Sequence, residues 1–392
     1  MNRPFFEAFE AGIDRRGTFC EKWDFNEEIF GRADVVPMWV ADMDFASPEC
    51  VQRAIMERAS HGAYGYTDFD GPMMEAVAGW MKARHGFDMN PEWGLYSSGV
   101  VDSMLFALKA VTRPGDRVIV QPPVYGPFYR MIRLAECELV LNPLVEAEGG
   151  WRMNLDELEG QLKADAKAVM LCSPHNPVGR VWTRRELQDF MDLLNRYGAA
   201  LIADEIHSDF ALPGHPHTCS QTLDGAERAI LLVSGTKTFN LAGLRTSTMV
   251  VRDGALRARV KDIMRKMGAD SPNIFGAVAQ TAAYRDGAPW LDALIKYLDG
   301  NRQLAEAYFR ENAPAIVPSR MEGTYLMWLD CRKLGLPQRA LERLFVEKAG
   351  VGLSSGTDFG DEGAGFMRIN LATPRSRVQE ALRRIGEAVK AQ

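Results

Sequence analysis

Between residues 117 and 251 short apolar runs alternate with helical periodicities, and no other feature of the chain constrains its fold as tightly. The runs are 117–121 (RVIVQ), 167–173 (KAVMLCS), 200–206 (ALIADEI), 229–234 (AILLVS) and 247–251 (STMVV). After the second, Thr183 stands three residues before Glu186, the spacing of a capping box, and Leu187, Phe190, Met191 and Leu194 then recur at helical spacing. Strands apolar at nearly every position must be covered on both faces. The alternation therefore predicts an α/β fold, with a mostly parallel central sheet and helices on both faces. In such a sheet ligands bind beyond the carboxyl ends of the strands.

The last hundred residues follow a different pattern. Residues 323–329 (GTYLMWL) and 366–371 (FMRINL) read as strands. One amphipathic helix is predicted over 337–348, with Leu341, Leu344 and Phe345 apolar. Another begins after Pro374 with Ser376 as N-cap, and places Val378, Ala381, Leu382, Ile385 and Val389 on one face. This predicts a smaller α+β domain, joined to the sheet through a helix over 290–310. The 392 residues are expected to divide into an N-terminal segment (1–49), a large ligand-binding domain (50–280), and a linker helix with the small C-terminal domain (281–392).

The formal charge of −6 argues against a nucleic-acid binder, which would carry a basic face. No uncharged apolar run reaches the ~18 residues of a membrane span, and residues 1–18 lack the apolar stretch of a signal peptide. The six cysteines are scattered without a CxxC pair. They read as reduced thiols of a cytoplasmic protein, and no metal site is expected from them.

Polar features cluster where the sheet rule places a ligand. The second run is followed by 173–179 (SPHNPVG), and the third ends in Asp204, Glu205, Ile206 and His207. The fourth leads into Gly235, Thr236, Lys237 and Thr238, with Arg245 eight residues past the lysine. Upstream, 96–102 (YSSGVVD) precedes a helix predicted over 103–110, whose start offers backbone N–H groups to an anion. One lysine, one buried acid, an anion site, hydroxyls and an arginine on one sheet edge suit a phosphorylated heteroaromatic aldehyde held as an imine. The lysine supplies the amine and the aspartate keeps the ring nitrogen protonated.

These residues make the chain resemble the fold-type I pyridoxal-phosphate enzymes of the class I/II aminotransferase superfamily, and within them the cystathionine β-lyases of the MalY/PatB type. The resemblance runs over nearly the whole chain and rests on 37–45 (PMWVADMDF), 173–179, 203–209 (ADEIHSD), 237–244 (KTFNLAGL), 367–371 (MRINL) and 374–376 (PRS) occurring in the family's order. It implies that Lys237 carries pyridoxal 5′-phosphate and moves the Cα proton. Asp204 would pair with the ring nitrogen, Asn176 with the phenolic oxygen, and Tyr125 and Ile206 would cover the two ring faces. The phosphate would lie against Gly99, Val100 and Val101, with Ser234 and Arg245. Arg368 would clamp the substrate carboxylate in a bidentate pair, and Ala41 and Tyr125 would border the substrate. The resemblance of residues 37–45 also implies that the segment 1–49 contributes to the small domain and the active site. Tyr64 would reach the phosphate of a second subunit, which implies a homodimer with shared sites. Gly126, Gly235, Thr236 and Arg245 depart from the residues common in the lyase group.

The activity implied is α,β-elimination of S-substituted cysteines to pyruvate, ammonia and a thiol. An aminotransferase uses the same first steps, and a regulatory binding protein on the same fold is a third reading. Plainer readings stand beside these. Lys237 can be a surface lysine, Asp204 a strand-end cap, Arg368 an edge residue and His207 a satisfied histidine. His215 and His217 lack a third metal ligand at regular spacing. The glycine-rich 360–365 (GDEGAG) reads as a turn before the Arg368 strand, and Met264 and Met267 as core or interface packing.

Overall fold

The computed structural model describes residues 3–148 and 150–392. Among these, seven strands form the central sheet: β1 Gly94–Ser97, β2 Arg117–Val120, β3 Glu138–Leu141, β4 Ala168–Cys172, β5 Ala200–Asp204, β6 Ile230–Val233 and β7 Ser247–Val251. Their order is β1-β7-β6-β5-β4-β2-β3. From β6 to β3 the neighbours are parallel, whereas β7 runs antiparallel to both β6 and β1. The connection after β6 makes only the helical turns Gly235–Thr238 and Ala242–Leu244. The chain therefore re-enters the sheet at the end it left, and residues 234–246 all stay at the carboxyl edge. Strands β4, β6 and β7 are buried at every residue, as covering on both faces requires.

Thr183 and Glu186 form the predicted capping box at the start of α-helix Arg184–Tyr197. Two expected helix starts move. The helix after β1 is Val100–Val111, three residues longer at its start than predicted, with Gly99 as N-cap at φ +155°, a conformation that favours glycine. The last helix is Arg375–Lys390, capped by Pro374. Ser376 lies within its first turn and caps nothing, because the fixed proline φ already sets the entry.

A second, antiparallel sheet contains β8 Val317–Pro318, β9 Leu326–Asp330, β10 Ser354–Ser355 and β11 Phe366–Asn370 in the order β8-β9-β11-β10. Met327, Leu329, Met367 and Ile369 from this sheet share a core with Leu341, Phe345, Val378 and Leu382. Helix Ala288–Asn312 runs from the large core into this one, with Leu291, Leu294 and Tyr297 in the first and Ala305 and Phe309 in the second. The N-terminal segment joins through Val36–Pro37, which pairs in parallel with Val351–Gly352. Met264 is core, while Met267 is exposed. No helix among the described residues is long and apolar enough to cross a membrane.

Candidate active site

At the carboxyl edge of β4, β5 and β6 lies a cavity of about 160 Å³. Larger clefts lie elsewhere, among them about 490 Å³ beside Tyr96 and Met264, but the buried polar groups converge on the smaller one. Ala41, Gly99, Val100, Val101, Tyr125, Asn176, Asp204, Ile206, Lys237 and Arg245 all line it. The structure thus brings ten of the predicted site residues together around one cavity. The turn after β4 supplies Asn176, β5 ends in Asp204, the turn just past it supplies Ile206, and the Gly235–Thr238 turn supplies Lys237.

Lys237 Nζ donates to the carbonyl of Ala41 at 2.7 Å. Burial lowers its proton affinity, with Arg368 adding to that effect and Asp42 and Asp204 opposing it. Such an amine loses its proton more readily than a solvated lysine, as a nucleophile and base requires. Asp204 is buried, and its Oδ1 accepts from the Ile206 N–H at 3.1 Å. Burial pushes its carboxyl up to about 7. A buried carboxylate in that condition is stabilised by a cation placed against it.

Arg368 projects from β11 of the other sheet. Its Nη1 donates to Asn176 Oδ1 at 2.9 Å, and its Nη2 to the Trp39 carbonyl at 2.9 Å and Ser354 Oγ at 3.1 Å. The guanidinium lies 4.7 Å from the Phe359 ring centroid. Its partners are all neutral, its Nε is buried without a hydrogen bond among the described residues, and burial lowers its pKa to about 10. A buried guanidinium with a free donor is built to receive an anion.

Residues 39–43 form a strap between the sheets whose carbonyls are taken by side chains. Trp39 accepts from Arg368, and Val40 and Asp42 from Asn370 Nδ2 at 2.5 and 2.7 Å. Ala41 accepts from Lys237 and from Tyr325 O–H at 2.9 Å. Met43 accepts from Asn240 Nδ2 at 2.9 Å and Arg15 Nη1 at 3.1 Å. Among the described residues the strap has no sheet partner, and these side chains satisfy its backbone instead.

The anion end is less uniform than expected. The start of helix Val100–Val111 faces the cavity. Arg245 lines it too, but its side chain is 66% exposed and its Nη2 pairs with Asp102 Oδ2 at 3.0 Å. Ser234 does not line the cavity. Its Oγ donates to the Thr246 carbonyl at 2.6 Å and accepts from the Thr236 N–H at 3.0 Å, which caps the lysine turn, and Thr236 reaches the wall instead. Tyr64 lies outside the cavity, 56% exposed, with its O–H on the Ala59 carbonyl at 2.6 Å.

Sequence reasoning missed Tyr325 and undervalued His207, which lines the cavity with its Nδ1 buried and unpartnered among the described residues. Burial and the nearby Lys237 and Arg368 charges lower the His207 pKa to about 3, so the ring is neutral. Behind the site, His217 bonds to buried Glu205 at 2.9 Å, while Trp80, His85 and Thr238 all bond to Asp209 at 2.7–3.0 Å. Thr238 follows the lysine, so this cluster fixes the lysine turn from behind. A neighbouring His or Trp far away in sequence leaves no spacing signal for such a cluster.

The sequence model of the family "Aminotransferase class I and II" matches residues 33–385. The cystathionine beta-lyase PatB of Bacillus subtilis is 40% identical over 384 residues, covering 97% of this chain and 99% of PatB. Protein MalY of Escherichia coli is 32% identical, covering 98% and 99%. Among solved structures, cystalysin from Treponema denticola, which contains a pyridoxal 5′-phosphate cofactor, superposes with a TM-score of 0.94 at 35% identity, covering 98% of each chain.

Proposed function

The chain belongs to the class I and II aminotransferase family, and from that membership we propose that it is a pyridoxal-5′-phosphate-dependent carbon–sulfur β-lyase. Its substrates are S-substituted cysteines, and its products pyruvate, ammonia and a thiol. The observation that carries the reading is the meeting at one cavity of Lys237, a half-buried amine of lowered proton affinity, with the carboxyl of Asp204, while the guanidinium of Arg368, all of whose partners are neutral, is bonded to Asn176 of the cavity wall.

These residues fit the cofactor. Asp204 is a buried carboxyl whose ionised form calls for a cation, which a protonated ring nitrogen provides. Lys237 would hold the aldehyde carbon, Asn176 the phenolic oxygen, and Tyr125 and Ile206 the ring faces. Gly99, Val100 and Val101, with Arg245 and the lysine turn capped by Ser234, would hold the phosphate. For Arg245 this means leaving Asp102 or sharing it. When bound, the cofactor supplies an electron sink for the charge that develops at the substrate Cα.

The protein's own work is placement and proton transfer. Arg368 binds the substrate α-carboxylate through a guanidinium already fixed by Asn176, Trp39 and Ser354, so little order is lost on binding. Lys237 Nζ then takes the Cα proton. Asp204, kept from water by burial, maintains the charge of the group opposite it. A thiolate on Cβ leaves as the electron pair from Cα moves in.

The strap and the lysine serve transamination equally well, and the family includes that chemistry. Incubation with cystathionine and no keto acid separates the two. Sustained pyruvate and thiol are expected; a single half-turnover that stops would make the chain an aminotransferase. The exposure of Tyr64 supports its acting in the site of a second copy, as part of a homodimer. The six cysteines are all unpaired, which suits a reducing cytoplasm.

A further inference from the structure

The carbonyl of Ala41 accepts two side-chain donors, Lys237 Nζ at 2.7 Å and the phenol of Tyr325 at 2.9 Å. Tyr325 is fully buried just before β9. Its ring packs edge-on to Phe210, with centroids 4.9 Å apart, and to His207 at 5.8 Å. These contacts leave the hydroxyl a single direction, toward Ala41. Burial pushes the phenol far above the ordinary tyrosine range, so it remains a donor under all working conditions.

We propose that Tyr325 is a positioning residue that fixes the Ala41 carbonyl as the seat of the Lys237 amine whenever that amine is not bonded to the cofactor. A lysine nitrogen carries three donors as the ammonium and two donors with a lone pair as the amine, on a flexible four-carbon stem. A carbonyl that can itself turn would hold such an amine loosely. Pinned by a rigid phenol on one side and by Asn370 on the two flanking carbonyls, it gives the amine one resting place. One Lys237 hydrogen is then committed to Ala41, which limits the directions open to the nitrogen lone pair. The inference rests on the proposed function only for Lys237 as the proton-moving group, and is independent of which bond breaks at Cβ.

The test uses the holoenzyme and its Tyr325→Phe variant, which keeps the ring packing and deletes the hydroxyl. The Cα proton of L-alanine is exchanged for solvent deuterium and followed by NMR. Alanine has no β leaving group, so the assay reads proton transfer alone, and a failure to release pyruvate from cystathionine would overturn the lyase reading without touching this one. Exchange is expected to slow by about tenfold or more, while the resting absorption spectrum and the cofactor dissociation constant stay within about twofold of wild type. Exchange at close to the wild-type rate would overturn the proposal. So would a slowing matched by an equal loss of cofactor affinity, since that marks a merely structural role.

Discussion

Arg368 Nη1 and Asn176 Oδ1 lie 2.9 Å apart, and that one bond joins β11 of the small sheet to the turn after β4 of the large one. The proposed carboxylate clamp and the proposed cofactor wall are thus held to each other by the protein itself.

For that reason Arg368→Lys should fail as a conservative change. An ammonium cannot hold Asn176, Trp39 and Ser354 and still offer a two-pronged face to a carboxylate. The specificity constant for a β-substituted cysteine is expected to fall about 100-fold, mostly through KM. Unchanged steady-state kinetics would exclude the carboxylate role.

Lys237→Ala removes an amine whose one hydrogen bond among the described residues is to a backbone carbonyl. Turnover should drop below detection while far-ultraviolet circular dichroism stays native. The visible absorbance of an imine should also be missing after cofactor is added. Residual elimination at more than about a thousandth of the wild-type rate would mean that another group moves the proton.

Asp204 links function to stability. Its carboxyl is pushed from 3.8 to about 7 by burial, so the folded chain binds that proton more tightly than the unfolded chain does. Cofactor-free protein therefore loses stability as pH rises from about 4 to about 7, by roughly 4 kcal/mol at most. Asp204→Asn cannot ionise. It should unfold at a higher temperature than wild type at pH 8, nearly match it at pH 4, and turn over far more slowly once loaded. Equal melting temperatures at pH 8 would contradict the assignment of a costly buried charge.

Asp44 is the opposite case, a buried carboxylate fully compensated. It accepts from Arg15, Lys22, Trp23, Thr373 and Arg377 at 2.8–3.4 Å, which ties the N-terminal segment to the start of the last helix. Burial would raise its pKa, but Lys22, Trp23 and Arg377 hold it below the ordinary value. Its stabilisation is therefore present near neutrality and lost as pH falls through the acidic range. Asp44→Ala leaves buried Lys22 without its nearest partner and should cost about 3–5 kcal/mol in denaturant unfolding. A loss under about 1 kcal/mol would equate it with a surface pair.

Shared sites can be tested by complementation. Lys237→Ala and Tyr64→Ala chains, each inactive alone, are co-expressed. If Tyr64 serves a second subunit's site, mixed dimers hold one intact site, and activity should recover to about a quarter of wild type. No recovery would confine Tyr64 to its own chain.

Much of this was legible in the sequence because periodicity and strand-end position are local. The five central runs stand within a residue or two of β2, β4, β5, β6 and β7. Strands β1 and β3 lack a strong signal because GLYS has only two apolar positions and ELVL is an edge strand with a single buried residue. The order of motifs places Ser234 at the phosphate, but a serine one residue before a helical turn is equally an N-cap, and here it caps. Tyr325 was invisible for a deeper reason. Its partner is a carbonyl 284 residues away, and an acceptor that every residue carries leaves no mark in a sequence.

Backbone acceptors also decide how the strap tolerates change. The acceptors at 39–43 belong to the main chain, so exchanging most side chains there leaves them in place. Gain or loss of one residue displaces each by about 3.5 Å, beyond the reach of Arg368, Lys237, Tyr325, Asn370 and Asn240 together. Between Trp39 and Met43 the chain is a ruler: its length is under stricter control than its spelling, and a single-codon deletion there would do more harm than several substitutions.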